Sequence, residues 1–472
     1  MRLMDPSEWH PTGQITVWEP TAEMLDTLQS KQNTEQPLSF LQADHVRSVV
    51  ARRATGAAHQ AYTASAMYLP WPVDKARLTG SVNAFLGAHE GLRCSINVDA
   101  PTDGPSPNIT RTLLSPEEVD LQPQAVDASA SDSAEATQDA AEWLSGYFSR
   151  TAVSDHMPAL AVGLIEDEAA EKAELVLALD HAVGDGLSQV LSVLEIAQRY
   201  FEADSPLTTP QHPSFLEYVH NEHAAAAQVT PESPGTQLWK ECIQFVGGMP
   251  KLGIDIGVEE GQSQDVKVME SEGPIADPAQ VNALRGLAKS RGYSFSTVIY
   301  AVLALAHKRM SGSEKYATVT VSSTRGSTYG LSQGWFCNFN PLFFPVEGDT
   351  VTEILDAVAH AQRRMKATLN EPVHASLMQL IQEGFIGQEV FQSPQMVTYL
   401  DLSWFEEPAG ADLRLFGGIA QTKNANFWLA RNPEGLIIGS QAPDNPVAGR
   451  SVAEYFATAA QIVHETVAEI PA

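Results

Sequence analysis

Cysteine is scarce in this chain, with only Cys94, Cys242 and Cys337 in 472 residues. They stand far apart and form no C-x-x-C pair, so neither a disulfide framework nor a zinc or redox motif is encoded, and a reducing compartment is expected. Basic residues are also few: 29 Lys and Arg face 58 Asp and Glu, for a formal net charge of −29. That balance argues against nucleic acid or an anionic membrane surface as the main partner, and any anionic ligand needs a local basic patch. Aromatics reach only 8%, which offers no stacking platform for single strands. No apolar run approaches the ~18 residues of a spanning helix, and the opening MRLMDPSEWHPTGQ has no apolar signal core. A cytoplasmic protein without a transmembrane segment is expected. Walker A, G-x-G-x-x-G and H-E-x-x-H motifs are missing too, so no metal and no tightly bound cofactor is expected.

What the chain does have is length and apolar content. At 43% hydrophobic, it can bury a large core in two or three domain-sized units. Residues 1–36 are polar and turn-rich and read as surface chain. A helix follows Pro37–Gln42, with Val46, Val49 and Val50 on one side and Arg47, Arg52 and Arg53 on the other. Ala61–Leu69 reads as a strand and Asp74–His89 as a helix that Gly91 can stop. Residues 101–137, rich in Pro, Ser and Asp, read as a loop. Helix Ala140–Tyr147 and strand Ala159–Ile165 come next. Residues 204–235 carry five prolines and read as a linker. Beyond it, helices at Pro278–Arg291, Ser296–Met310, Val351–Leu369 and Ser451–Ile470 alternate with strands at Tyr316–Ser322, Gly334–Val346, Met396–Trp404, Phe427–Ala430 and Leu436–Ser440. No internal repeat is visible. The expected organisation is an α/β subdomain at 1–203, the linker at 204–235, and a second α/β subdomain at 236–472.

The stretch that organises the rest is Glu174–Tyr200. It opens with the apolar run Leu175–Leu179, short enough for a buried strand. It closes with Leu187, Val190, Leu191, Leu194 and Ala197 at helical spacing, with Asp185 placed to cap. Between them lies Asp180-His181-Ala182-Val183-Gly184-Asp185-Gly186. The glycines let the backbone turn and leave room beside the imidazole. A strand-end histidine with a carboxylate four residues on can serve as an oriented general base; the other reading is a strand–helix turn whose histidine is incidental. Gly330-Leu331-Ser332-Gln333-Gly334 matches the G-x-S-x-G elbow, but that motif needs a strand before it and a helix after it, whereas here a strand follows. It reads as a loop. His220 and His223 form an H-x-x-H beside Glu222 without a third ligand and read as exposed linker histidines.

Five segments in order resemble the CoA-dependent acyltransferase superfamily, which includes nonribosomal-peptide condensation domains. The likeness is greatest to its free-standing polyketide-associated members from actinobacteria. Pro37–Gln42 with His45 is similar to the family's opening helix, and Ala88–Arg93 to its R-H-E-x-L-R box. Asp180–Gly186 matches H-H-x-x-x-D-G at all but the first histidine. Ser323–Gly326 resembles the segment bearing the second-half arginine, and Gly334–Val346 the G-x-F-x-N-x-x-P-L strand. The resemblance implies two chloramphenicol-acetyltransferase-like subdomains in a V with an active-site tunnel between them. It implies His181 as the catalytic histidine, Asp185 orienting the loop by pairing with Arg325, and Gly186 near the thioester carbonyl. Asp180 would support the site from the position of the first histidine. Trp335 and Asn338 are candidates for the tunnel wall, the alternative being core packing and a satisfied buried amide.

The donor implied is acyl-CoA or a phosphopantetheinyl carrier protein, and the acceptor a hydroxyl or amine. Arg363, Arg364 and Lys366, or Arg47, Arg52 and Arg53, are candidate docks for its phosphates. Acyl transfer from a thioester needs a base, oxyanion donors and exclusion of water, but no covalent nucleophile. The favoured expectation is an acyltransferase acting on a lipid, glycolipid or polyketide hydroxyl. Its alternatives are a carrier-dependent condensation enzyme forming amides or esters, and a catalytically silent recruitment module. Asp180 in place of histidine and the missing D-F-G-W-G motif of plant acyltransferases are the departures from the wider family.

Overall fold

In the computed structural model the described residues are 2–31, 36–54, 56, 62–99, 108–126, 140–259, 262–387, 394–404, 408–418 and 421–470. The chain forms two compact units. One comprises Met1–His223, Arg325–Phe336 and Glu407–Ile419; the other comprises Ala224–Thr324, Cys337–Glu406 and Ala420–Ala472. This differs from one cut at 204–235, because sheet pairing draws a late segment back into the first unit.

The first unit's seven-stranded sheet runs in the order Arg2–Leu3, Arg414–Gly417, Tyr62–Leu69, Lys172–Asp180, Leu160–Asp167, Gln14–Pro20 and Leu121–Val126. Neighbours are antiparallel except for the first pair. Lys172–Asp180 is buried from Ala173 onward, which explains its continuous apolar run in place of alternation: both faces of the sheet are covered. Helix Gly186–Tyr200 packs against helix Lys75–Ala88 and the strands Tyr62–Leu69 and Lys172–Asp180. Helix Ala140–Thr151 contributes Leu144 and Phe148 to a further core cluster with Ile15, Val17, Val176 and Ala178. Asp180 is thus the last residue of a central strand, paired with Tyr62, and His181 is the first residue beyond it.

Two stretches depart from expectation. Residues 1–36 were expected on the surface, yet Gln14–Pro20 is an inner strand whose Ile15–Trp18 are buried. Its apolar segment is too short to stand out from the polar flanks. Within 101–137, expected as loop, Asn108–Leu113 pairs with Cys94–Asp99 and Leu121–Val126 pairs with Gln14–Pro20; 101–107 and 127–137 lie outside the described residues. Partners more than a hundred residues away make the second pairing invisible to local composition.

The second unit has its own seven-stranded sheet, in the order Cys337–Pro345, Lys315–Ser323, Met396–Asp401, Asn426–Asn432, Gly435–Pro443, Gln264–Glu270 and Gln421–Thr422. Helices Pro278–Ser290, Phe295–Ser311, Val351–Lys366 and Pro446–Glu469 share one core with it. No helix among the described residues is long and apolar enough to cross a membrane. Cys94, Cys242 and Cys337 form no disulfide among the described residues.

Candidate active site

The turn after Lys172–Asp180 is built by its own residues. The Val183 N–H donates to the Asp180 carbonyl (3.0 Å), and Asp185 caps helix Gly186–Tyr200 by accepting from the Ser188 N–H (2.8 Å). A Cβ on Gly184 would meet Leu179 Cδ1 at 3.1 Å, so glycine lets the turn lie against the strand, whereas one on Gly186 would meet nothing within 4 Å. Open space therefore lies beside Gly186.

His181 is half-buried. Its Nδ1 is buried and finds no partner in another residue, and no hydrogen bond from the described residues occupies Nε2. The Trp335 ring lies against it, with centroids 4.2 Å apart. Burial, and next the nearby His45, push its pKa below the ordinary 6.5, while its own main chain, Asp180 and Asp185 work the other way. The imidazole is accordingly neutral at neutral pH.

Asp185 is held on both oxygens. Arg325 Nη2 donates to Oδ1 at 2.7 Å and Nε to Oδ2 at 3.3 Å, and the Phe336 N–H donates to Oδ2 at 3.1 Å. The guanidinium also reaches Ser188 Oγ (2.7 Å) and the Tyr329 carbonyl (3.1 Å), and lies over the Phe336 ring. Burial alone would raise the Asp185 carboxyl, but the Arg325 charge and these hydrogen bonds outweigh it and hold the pKa below 3.8. The pair ties segment Arg325–Phe336, which carries Trp335, to the cap of the helix that follows His181.

Asp180 is fully buried. Its Oδ1 accepts from the Ala182 N–H (2.7 Å) and faces His45 Nε2 (2.9 Å), and its Oδ2 accepts from the Ser154 N–H (3.1 Å). His45 sits on helix Phe40–Ala54, which starts with a reciprocal box: Ser39 Oγ accepts from the Gln42 N–H and Gln42 Oε1 from the Ser39 N–H. The sequence offered His45 only within the segment similar to the family's opening helix; its hydrogen bond to Asp180 brings it to the site.

Asn338 belongs to the second unit, where Nδ2 donates to the Leu369 and Glu371 carbonyls and Oδ1 accepts from the Phe339 and Val373 N–H groups. Its amide is spent on main chain. His223 is no exposed linker residue: it lies on helix Phe215–Ala226, donating to the Leu38 carbonyl (2.8 Å), while Glu222 accepts from the Phe40 N–H. The composition of 204–235 hid that helix. Among the basic groups, Arg53 is engaged by Asp155, Arg47 by Asp44 and Arg364 by Glu241.

His89, Glu195 and His212 are grouped closely enough to hold a metal. Their bonds say otherwise. His89 Nδ1 accepts from the Gln333 N–H, which leaves Nε2 to donate to Glu195 at 2.8 Å. Arg199 takes the other carboxylate oxygen, and the two imidazoles stack. The group is a hydrogen-bonded node. Ser332 does not form an elbow either: its hydroxyl donates to the Pro213 carbonyl (3.1 Å), and strand Cys337–Pro345 follows in place of a helix. Ser332→Ala should keep turnover within about twofold of the unmodified chain and cost about 1 kcal/mol of stability. Covalent labelling of Ser332 by a fluorophosphonate would instead mark a hydrolase.

A neutral imidazole on a rigid turn, with no serine or cysteine bonded to it among the described residues, has the equipment for general-base chemistry without a covalent intermediate. The chain belongs to the Condensation domain family, whose model matches residues 32–376. The fold is the α/β fold of that family, with two chloramphenicol-acetyltransferase-like units. Among curated relatives it is similar to the acyltransferase PapA3 of Mycobacterium tuberculosis, 21% identical over 96% of this chain and 93% of that protein. It is also similar to the 2'-acyl-2-O-sulfo-trehalose (hydroxy)phthioceranyltransferase PapA1 of the same organism, 21% identical over 97% of this chain and 87% of that protein. Among solved structures, the PapA2 acyl transferase superposes with a TM-score of 0.85 at 19% identity, covering 99% of this chain and 100% of that one. The first condensation domain of the CDA synthetase gives 0.65 at 16% identity, covering 94% and 98%.

Proposed function

We propose that this acyltransferase moves an acyl group from a CoA or carrier-protein thioester to a hydroxyl of a sugar-containing lipid, with His181 as general base. The observation that carries the reading is the neutral His181 imidazole on the turn whose Gly186 has open space beside it. Nε2 takes the proton of the acceptor hydroxyl as its oxygen attacks the thioester carbonyl, so the C–O bond forms and an oxyanion develops. Collapse breaks the C–S bond, and the imidazolium returns its proton to the thiolate. Asp185 and Arg325 act structurally, holding the turn and the Trp335 segment in place. The acceptor class is drawn from the relatives, one of which is named for transfer onto a sulfated trehalose. No second nucleophile is needed, because the thiolate is a good leaving group.

The test is free-thiol release from a long-chain acyl-CoA, with and without trehalose or a trehalose glycolipid, together with mass detection of the ester. Thiol release that requires the acceptor and yields its acylated form is expected. Release at the same rate without acceptor would point to a thioesterase, and no turnover of CoA or carrier thioesters would overturn the reading.

A further inference from the structure

The helix Phe40–Ala54 grips the turn that presents His181 at two points. Gln42 Nε2 donates to the Ala182 carbonyl at 2.7 Å, and His45 Nε2 meets Asp180 Oδ1 at 2.9 Å. Gln42 is itself held, since Oε1 also accepts from Arg111. The two imidazoles have ring centroids 6.3 Å apart, and the Trp335 ring lies edge-on to His45 at 5.9 Å while tilting against His181. Three rings thus form one cluster, and the fully buried carboxylate of Asp180 faces the imidazole that is not on the turn. In the H-H-x-x-x-D-G pattern this carboxylate occupies the first histidine's position. The second imidazole of the cluster comes from a helix 135 residues away.

We propose that His45 is a positioning residue of the acyl-transfer site: through Asp180 it fixes the turn that presents His181, and its ring stands beside that imidazole. The inference rests on the reading of His181 as the base. A buried carboxylate needs a partner, and removing one member of such a pair leaves the other uncompensated. The nearby His45 helps to hold the His181 pKa down, so the base stays ready to accept a proton from substrate.

The surrounding charges do not cancel this. On the His45 helix, Asp44 pairs with Arg47, and Arg53 is engaged by Asp155 of the loop after helix Ala140–Thr151, where His156 contacts the Pro158 carbonyl. From helix Phe215–Ala226, Glu222 and His223 are bonded to the Phe40 N–H and the Leu38 carbonyl. Arg111 of the two-stranded sheet donates to the Pro37 carbonyl and to Gln42. Asp185 is matched by Arg325. Among the described residues, Asp180 and His45 also act on His181, they face each other, and Arg53 interacts with Asp180 through space.

The experiment compares His45→Gln, which can still donate toward Asp180 but never carries charge, with His45→Lys, which does. Each is assayed for acyl transfer from pH 5 to 9 beside a melting curve. The glutamine variant should keep the KM for acyl donor within about twofold and approach the unmodified kcat on the alkaline plateau. Its acid limb should move to higher pH, while the lysine variant's limb stays at or below that of the unmodified chain. His45→Ala, which also loses the hydrogen bond, should lower the plateau kcat about tenfold. An acid limb unmoved in a folded glutamine variant would overturn the proposal, and His45→Asn carries the same comparison should the glutamine not fold. If His181→Ala transfers at full rate, the reading beneath falls. If that variant is inactive but His45→Gln keeps the unmodified pH profile, only the role of His45 falls.

Discussion

Truncating His181 to alanine should slow acyl transfer by roughly 10²–10⁴-fold, the usual worth of a positioned general base. The fold should survive, because the ring is half-buried and makes no hydrogen bond to another described residue; what it loses is its contact with Trp335, worth about 0.5–1.5 kcal/mol. Donor binding should therefore stay near normal while the chemical step fails. In the unmodified chain the rate should fall as pH drops through the His181 pKa, and that limb should lie below 6.5, since burial and His45 hold the imidazole down. The sign for stability follows. Below pH 6.5 the unfolded chain binds a proton that the folded His181 resists, so this residue weakens the fold on the acid side. Alanine removes that penalty, and the melting curves of the two proteins should converge as pH falls. A weakly acidic alcohol acceptor should suffer more from the mutation than a deprotonated amine. The measurement is thiol release with acceptor present; a folded His181→Ala that transfers at the normal rate would end the general-base reading.

The second large effect is expected at Asp185 and Arg325. Their side chains are 5% and 4% exposed and meet at 2.7 Å. Changing either to alanine leaves a buried charge without its partner, costing roughly 3–5 kcal/mol, and Asp185 also loses its cap on the Ser188 N–H, about 1 kcal/mol. Activity should fall with stability, because the same carboxylate holds the Phe336 N–H and Arg325 holds the Tyr329 carbonyl, which flank Trp335. The double variant should be much less destabilised than the sum of the singles. A double-mutant cycle by urea unfolding reads this directly, and additivity would remove the pair from the account. The Asp185 carboxyl is held below 3.8, so its contribution is complete above that pH and is lost as pH drops through the lower folded value. Asp185→Asn should accordingly show a shallower acid transition than the unmodified chain.

The chain's local patterns were enough to read the turn that carries His181. An apolar run of strand length, two glycines and an aspartate before a helical stripe define the strand, turn and capped helix around His181, and each of these depends on neighbours a few residues away. The alternation of helices and strands in both halves was legible for the same reason, and the family resemblance added the Asp185–Arg325 pairing that spacing alone did not contain. Gln14–Pro20, Asn108–Leu113 and Leu121–Val126 escaped notice because short strands flanked by polar residues carry little periodicity, and their stability comes from partners in the sheet. Arg414–Gly417 is shorter still, and its pairing with Tyr62–Leu69 moves part of the late chain into the first unit.

The finer composition of the site was decided only in three dimensions. Asp185 meets Arg325 across 140 residues, and Asp180 meets His45 across 135. Neither separation leaves a trace in local propensity, because an ion pair between distant residues depends on where packed elements bring their ends. Burial then set the protonation of His181, and burial is a property of the folded chain. The sequence by itself therefore determined which residue types stand on the turn and which elements flank it. Tertiary structure decided which charges face them, because desolvation and Coulomb interactions act through space and not along the chain.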